Sequence, residues 1–366
     1  MNRPIRMLML VALVVGSTVA QGHKLAPKAT AEERRITDVR GSWLLTLERS
    51  ATMWGLEVFG EPVHEEETDR IYGCDGSLCD GESVLRAPAA VLAGVRWNDD
   101  PPFRISSGEG RNTSCKVTQT IRFQTQPRCW YQLFSDAEGR SESGEVFDAG
   151  SGAALLYRSH FGDLQFLHAM ASANDVSASD TRRQIVDWAE FNWRIMYGDY
   201  DLGTRLSSVD NDTMRTRFGR SGWTVQDLYT LGSPALRPHI RDVAFGSLLH
   251  MLQDSFAAGH VDRASPLSAN TCSIAGNSIQ APGVVNEFHA YNQQDHGLHS
   301  EADTRGALQE HLQEVPDVVD VGRHLLRAYK DGRSWEDVQP FVECIFALSD
   351  DARASSPGAQ FALVAE

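Results

Sequence analysis

The stretch RPHIRDVAFGSLLHMLQDSFAAGH, residues 237–260, decides the fold of this chain. Its apolar residues recur at three- and four-residue spacing, which is typical of a helix with one face in a hydrophobic core. Pro238 lies in the first turn, where a missing backbone N–H costs no hydrogen bond. The pattern predicts a helix over residues 237–258, the strongest in the sequence. Its apolar face comprises Ile240, Val243, Ala244, Ser247, Leu248 and Met251.

The end of this helix carries side chains of the types that bind metal ions. His250 and Asp254 are four residues apart, so an imidazole and a carboxylate lie side by side on one helical face. His260 follows a glycine, where the chain can bend and bring a third ligand to the same place. A lone His–Asp pair is more often a structural contact than a ligand set. A second pair at the same spacing, His299 and Asp303, therefore matters, because two pairs favour more than one metal ion.

Other segments also have helical patterns, so the fold class is expected to be mainly α. The predicted helices run through Trp43 to Trp54, around His64 to Ile71, over residues 180–200, and from Glu287 to about Phe346. Residues 101–155 contain Pro, Gly and short β-like runs, which predict an irregular, β-containing insertion. A polar loop is expected at 264–283, and a loose tail over the last ten or so residues.

The first twenty residues are typical of a secretory signal peptide. Arg3 and Arg6 form a positive region, an apolar run follows over Met7 to Val15, and small residues precede a cut after Ala20. The mature chain is expected to begin near Gln21 and to be secreted or periplasmic. The apolar run is too short to cross a bilayer, and no later stretch has the ~20 apolar residues that a transmembrane helix needs.

The chain is acidic, which bears on its partners. With 34 Lys+Arg against 49 Asp+Glu, the formal net charge is −15. Cleavage after residue 20 removes two arginines and leaves 32 basic against 49 acidic residues, a net charge of −17. Such a field repels a polyphosphate unless metal ions or a basic patch reverse it locally. No stable nucleic-acid partner is expected.

Six cysteines remain in the mature chain, and an even number in an exported protein predicts disulfides. Spacing suggests two short loops and leaves a third pair by elimination: Cys74 with Cys79, Cys115 with Cys129, and Cys272 with Cys344. Six cysteines allow fifteen connectivities, however. The sequence alone indicates only that most of the six cysteines form disulfides.

The metal-ligand motif resembles that of the zinc-dependent phospholipase C and single-strand nuclease superfamily, whose members hold three zinc ions in a helical bundle. His250-x3-Asp254-x5-His260 is similar to the central motif of that family. Three earlier segments resemble its other elements, in the same order: Val63-His64-Glu65, Val95-Arg96-Trp97-Asn98-Asp99 and Ser159-His160-Phe161-Gly162-Asp163. A bacterial branch of extracellular phosphatidylcholine-type phospholipases C is similar over Trp97-Asn98-Asp99-Asp100-Pro101, the segment from Gly162 to His168, and Leu252-Gln253-Asp254-Ser255. The resemblance covers about residues 55–305.

The resemblance implies a helical bundle around a multinuclear site of two to three zinc ions. By position, a first zinc would be held by Asp99, His160, His250 and Asp254, a second by His260, His299 and Asp303, and a third by His64 with a shared Asp254. In the simplest family members the amino terminus of the mature chain, at a Trp, completes the third site. This sequence departs there, since Gln21 is its expected start.

Two of these ligands have competitors. His168 is the alternative to His160, although its apolar surroundings are also typical of a buried core histidine. His289 is the alternative to His299, and the carboxylate of Asp303 favours His299. The preferred set therefore contains His160 and His299.

The implied reaction is phosphodiester hydrolysis by a metal-activated water, which Asp99 would orient or deprotonate. The expected function is a secreted phospholipase C that acts at a membrane or micelle surface. It would cleave the glycerol-side phosphodiester of phosphatidylcholine-like lipids to diacylglycerol and a phosphorylated head group. The alternative is a single-strand nuclease or nucleotidase on the same fold, which needs base-stacking aromatics, with Trp97, Tyr291 and Phe288 as candidates. A structural or binding protein is the third class, and the ligand set disfavours it.

The ligands from His64 to Asp303 would have to converge on one cluster, which favours one catalytic domain over two. Residues 21–340 would form the phosphodiesterase domain, with the insertion at 101–155. Residues 341–366 would form a C-terminal segment and tail.

Overall fold

The computed structural model describes residues 62–79, 87–106 and 113–363. The predicted signal peptide over residues 1–20 and the predicted helix from Trp43 to Trp54 lie outside these residues. Within the described ranges the chain is mainly α, as predicted. None of the helices in these ranges is long and apolar enough to cross a membrane.

Twelve α-helices and two small sheets form the regular structure of the described residues. The helices are α1 Val63–Ile71, α2 Ala89–Val95, α3 Pro127–Glu142, α4 Leu155–Phe161, α5 Ala178–Tyr197, α6 Asp212–Phe218, α7 Val225–Thr230, α8 Ile240–Asp254, α9 His296–Ala302, α10 Arg305–His311, α11 Val318–Lys330 and α12 Trp335–Ile345. The strands are β1 Val261–Arg263, β2 Thr271–Ile274, β3 Asn277–Gln280 and β4 Val285–Phe288. β1 pairs with β4 and β2 with β3, both antiparallel.

Helix α8 lies at the centre of the molecule. The sequence predicts a helix over 237–258. The α-helix spans Ile240–Asp254 and is preceded by a 3₁₀ turn that includes Pro238. Every residue from Val243 to Asp254 is buried, so the helix is covered on all sides rather than on a single apolar face. The two polar side chains that close it, His250 and Asp254, are therefore held deep in the core.

The contact between α2 and α8 requires glycine on both helices. A Cβ atom at Gly246 would lie 2.0 Å from the carbonyl oxygen of Val91, and one at Gly94 would lie 2.1 Å from that of Val243. The two backbones touch because neither glycine has a side chain. This contact fixes the position of the turn after α2, which carries Asp99, against the helix that carries His250 and Asp254.

The described part of the insertion at 101–155 is irregular with isolated β-bridges, as predicted, except for one helix that the sequence analysis does not predict. It contains the sixteen-residue helix α3, which begins with Pro127 at its first turn and buries Cys129, Trp130, Leu133, Phe134 and Ala137. These residues recur at helical spacing, but the surrounding Gly and Pro obscured the pattern. Among the described residues of this insertion, β structure is limited to isolated bridges, Phe103 with Ile121 and Phe147 with Gly162.

The β structure lies instead after α8. The predicted loop at 264–283 contains the β2–β3 hairpin, and Glu287, the expected start of further helix, lies in β4. Helix resumes only at His296. The strands are three or four residues long, so their alternation is too brief to distinguish them from a polar loop.

The C-terminal segment packs on the body of the protein rather than forming a loose tail. The side-chain amide of Gln294 donates a hydrogen bond to the carbonyl oxygen of Pro357 at 2.7 Å. The backbone N–H of Ala290 donates to the carbonyl oxygen of Ser356 at 2.8 Å. The hydrophobic core continues through α12 to Phe346. The boundary expected at residue 340 thus falls inside α12, at a proline within that helix.

Three disulfides form, and they are the pairs that the spacing suggested. Cys74 is bonded to Cys79 and Cys115 to Cys129, which close loops with sequence separations of 5 and 14. The third, Cys272 with Cys344, spans 72 positions and ties the β2–β3 hairpin to α12. Disulfides of this number are typical of proteins in oxidising compartments.

Replacement of Gly246 by alanine tests the α2–α8 contact. We expect a loss of about 3 kcal/mol in the free energy of unfolding, because a backbone carbonyl cannot move away as a flexible side chain can. Urea unfolding of the purified protein measures it. Gly139→Ala is the matched control, since its Cβ would meet nothing within 4 Å on the exposed side of α3. It should stabilise by about 0.5–1 kcal/mol. Equal effects of the two substitutions would contradict the close contact.

Candidate metal centre

Three imidazoles surround the carboxylate of Asp254 at the end of α8. Its Oδ2 atom lies 2.9 Å from His168 Nδ1 and 3.1 Å from His250 Nε2, and its Oδ1 atom lies 3.3 Å from His64 Nε2. All four side chains are buried. Both oxygens of Asp254 are therefore directed at imidazole nitrogens, which suits a carboxylate that bridges two metal ions.

Asp99 joins this group from the turn after α2. Its Oδ1 atom lies 3.8 Å from both His168 Nδ1 and His250 Nε2, and these two nitrogens lie 3.1 Å apart. Bonds of about 2.0–2.1 Å to a tetrahedral ion place the ligand atoms about 3.3 Å from one another. The ligand atoms of His168, His250 and Asp254 thus have separations close to those of ligands to one ion, and Asp99 lies slightly further from the two histidines.

A second group contains the ligands that follow α8. His299 Nε2 lies 3.2 Å from Asp303 Oδ2, and His260 Nε2 lies 3.9 Å from the same oxygen. The bend at Gly259 makes this approach possible, because a Cβ there would lie 2.9 Å from His299 Nδ1. The three residues that the sequence predicts for the second ion are brought together, with ligand atoms within 4.8 Å of one another.

Hydrogen bonds to the second ring nitrogen orient several of these histidines. His260 Nδ1 lies 2.7 Å from the carbonyl oxygen of His168, and His64 Nδ1 lies 2.8 Å from Gln253 Oε1. Since both oxygens only accept, each Nδ1 carries the proton and each Nε2 keeps its lone pair for a metal. Gln253 is itself held, because its Nε2 donates to Thr68 Oγ1 at 2.9 Å.

Asn98 ties together the three segments that meet at the first group. Its Nδ2 donates to the carbonyl oxygen of Leu167 at 2.7 Å and to that of Ser247 at 3.2 Å, while its Oδ1 accepts from the Ser247 hydroxyl. The residues next to Asn98 and Leu167 in sequence are Asp99 and His168. One buried amide therefore sets the spacing between these ligands and α8.

Against the effect of burial, the charge of Asp254 raises the pKa of His64 to about 10 and that of His260 to about 9. Burial favours the uncharged, metal-binding form of two other histidines. It lowers the pKa of His250 well below its usual value and, with the charge of His168, that of His160 to about 3. A neutral imidazole is the form that binds metal. Burial also raises the pKa of Asp99 well above its usual value; His64 opposes this and the charge of Asp254 adds to it. A cation at this place would reverse the effect and stabilise both carboxylates.

The structure places both His160, the preferred candidate, and His168, its alternative, near Asp99. His168 ends the 3₁₀ helix Gln165–His168 and makes the closest approaches to Asp254 and His250. His160, on α4, is less buried and forms a group with Asp99 and His168. His168 is buried, as its apolar surroundings suggest, and so are Asp99, His250 and Asp254.

His289 lies apart from both groups. Its Nδ1 donates to the carbonyl oxygen of Gly259 at 3.1 Å, and its ring lies against Phe361 of the C-terminal segment. The structure thus brings His299 rather than His289 to Asp303, the arrangement that the sequence favoured. His289 instead supports the bend that carries His260.

One cavity contacts both ligand groups. Its lining includes Asp99, His160 and His168 of the first group and His260 and His299 of the second. The other lining residues are Ser159, Gln165, Met170 and Tyr291. Among the described residues, Asp99 Oδ2 and His168 Nε2 are buried without a hydrogen-bond partner, which is costly unless something bound in the protein satisfies them. The donor set and these two atoms fit metal binding.

Comparison with protein-family models, with curated proteins and with solved structures found no match to this chain. The evidence for a metal centre is therefore its geometry. Several His/Asp groups could hold an ion. A further group, Glu138, Glu142 and His296, lies nearer the surface, where acidic side chains often meet without an ion.

Replacement of His250 by alanine tests the first group. We expect the protein to lose at least one bound metal ion per chain, because His250 belongs to two of the three-residue sets within the first group, one with His64 and Asp99 and one with His168 and Asp254. Elemental analysis of the purified mature protein measures this. The control is His239→Ala, which removes an exposed histidine one residue before α8 and should leave the metal content unchanged. Equal metal content in wild type and His250→Ala would contradict the assignment.

Proposed function

We propose that this chain is a zinc-dependent phosphodiesterase of the phospholipase C type. The observation that carries the proposal is the cavity lined by both ligand groups, since a phosphoryl group bound there would contact both at once. It is supported by the resemblance of the His250–His260 segment and of the Asp99 and His160 segments to that superfamily. The three disulfides and the signal-peptide pattern favour action outside the cytoplasm.

The side chains present fit two to three zinc ions. Imidazole and carboxylate without thiolate are typical of catalytic zinc. Asp99, His168, His250 and Asp254 would hold one ion, with His160 beside it, and His260, His299 and Asp303 a second. His64 and the other oxygen of Asp254 would contribute to a third. Zinc held at these places would polarise phosphoryl oxygens and would lower the pKa of a bound water to about 7.

Asp99 is the side chain best placed to act on the attacking water. It lines the cavity, and its Oδ2 atom has no hydrogen-bond partner among the described residues. A carboxylate oxygen there can accept a hydrogen bond from water and so orient or deprotonate it. Asp254 is less suited to this role, because both its oxygens already face histidines.

The structure favours a lipid over a nucleic acid as the substrate. Of the three aromatic residues that could stack on bases, Trp97 and Phe288 are buried in the core, and Trp97 packs on Trp188 with ring centroids 5.7 Å apart. Tyr291 alone of the three lines the cavity. A net charge of −15 for the whole chain also disfavours a long polyanion, whereas a zwitterionic phosphatidylcholine-like head group is not repelled.

Hydrolysis assays test the proposed reaction. The mature protein should cleave a chromogenic phosphocholine ester and release diacylglycerol from phosphatidylcholine micelles. A chelator should abolish both activities and added zinc should restore them. Single-stranded DNA is the matched alternative substrate under the same conditions. Cleavage of DNA with no action on either choline substrate would replace the phospholipase proposal with the nuclease alternative.

Asp99→Asn separates catalysis from metal binding. If Asp99 handles the water, turnover should fall about 100-fold while most of the zinc is retained, because the amide can still occupy the ligand position but is a poor base. The paired measurements are kcat on the phosphocholine ester and zinc content of the same sample. A proportional loss of zinc and rate would limit Asp99 to a ligand.

A further inference from the structure

Two buried hydrogen-bond donors line the metal-facing cavity without satisfying each other. Gln165 is 1% exposed and Tyr291 is 5% exposed, and both line this cavity. Among the described residues, neither Gln165 Nε2 nor the Tyr291 hydroxyl has a hydrogen-bond partner. A buried donor without a partner costs about 1–3 kcal/mol. An acceptor bound in the cavity that these two residues line would remove this cost.

The orientation of the Gln165 amide follows from its other contact. Its Oε1 atom accepts from the backbone N–H of Tyr291 at 3.1 Å. A backbone N–H can only donate, so the oxygen of the amide must lie on that side and the NH₂ group on the other. The same bond joins the two residues, so the two donors are held in one unit.

The Tyr291 ring is fixed by its neighbours. It stacks on His296 with an interplanar angle of 3° and meets His299 edge-on, with centroids 4.9 Å apart in both cases. Phe161 covers it at 5.7 Å. A ring held on three sides cannot swing its hydroxyl away to find another acceptor. The donor is therefore positioned before any ligand arrives, which is the arrangement that stabilises developing negative charge most effectively.

We propose that Gln165 Nε2 and the Tyr291 hydroxyl form a donor pair that binds the anionic oxygens of a phosphoryl group in this cavity. The nearby side chains of the cavity support this choice of ligand. Asp99 and the histidines bind cations and leave the anion to other donors, and Ser159 is already near His160, with its Oγ 2.9 Å from His160 Nδ1. The inference rests on the proposed phosphodiesterase function and adds to it the residues that would hold the substrate oxygens.

Tyr291→Phe is the principal test, because it removes the hydroxyl and keeps the ring. We expect the zinc-loaded variant to bind inorganic phosphate about 10-fold more weakly by calorimetry, as one hydrogen bond to a charged oxygen is lost. The kcat for the phosphocholine ester should fall about 100-fold. Gln165→Glu should weaken phosphate binding similarly, since it keeps the acceptor for the Tyr291 N–H and replaces the donor with a negative charge.

Thermal unfolding of the metal-free protein provides a readout that does not depend on activity. Removal of a hydroxyl with no partner should leave the Tm of Tyr291→Phe unchanged or raise it. Tyr200→Phe is the matched control. The Tyr200 hydroxyl also lacks a hydrogen-bond partner among the described residues, but this tyrosine does not line the cavity. Its loss should leave phosphate binding unchanged.

Phosphate binding and Tm test the donor pair, whereas hydrolysis tests the proposed phosphodiesterase function. Unchanged phosphate binding in both Tyr291→Phe and Gln165→Glu would overturn the donor pair, whatever the activity. A Tm lowered by several degrees in Tyr291→Phe would also overturn it, because the hydroxyl would then be bonded within the folded chain. If the wild type hydrolyses no phosphodiester and yet loses phosphate affinity on Tyr291→Phe, the donor pair stands and the phosphodiesterase proposal falls.

Discussion

The backbone contact between α2 and α8 is the constraint on which the candidate site depends. Gly94 and Gly246 let the two helices approach until carbonyl oxygens occupy the space where side chains would otherwise lie. The turn that follows α2 then places Asp99 within 3.8 Å of His250 on α8. An added methyl group at the crossing would separate the helices, and with them two ligands that are far apart in sequence. The spacing between Asp99 and His250 in the candidate metal centre is thus set by packing some distance from it.

The parts of the site that sequence reasoning placed well are those determined by local spacing. His250 with Asp254, and His299 with Asp303, meet because residues four apart share a helical face or lie at its end. The role of His168 depends on long-range structure. A 3₁₀ turn, a bond from Asn98 to Leu167 and the proximity of α8 together bring it to Asp254. No periodicity in the sequence encodes that combination.

In the fold, too, the features set by local sequence patterns were predictable, and those set by long-range contacts were not. The mainly α class and the central helix follow from strong periodic patterns. The helix within the insertion does not, because Gly and Pro nearby outweigh the helical spacing from Cys129 to Ala137. The β2–β3 hairpin has only four residues in each strand and is held to α12 by the disulfide of Cys272 with Cys344. Strands this short are stabilised by what they are attached to, which local sequence does not reveal.

The spread of the ligands along the chain, from His64 to Asp303, also determines when metal can be acquired. An unfolded chain offers an ion only fragments of the site, chiefly the pairs at short spacing, and such fragments bind weakly. The complete sets exist only after α1, the turn after α2, α8 and α9 have assembled. An ion bound at these groups would therefore be taken up late in folding, and its affinity would stabilise the finished fold rather than guide its formation.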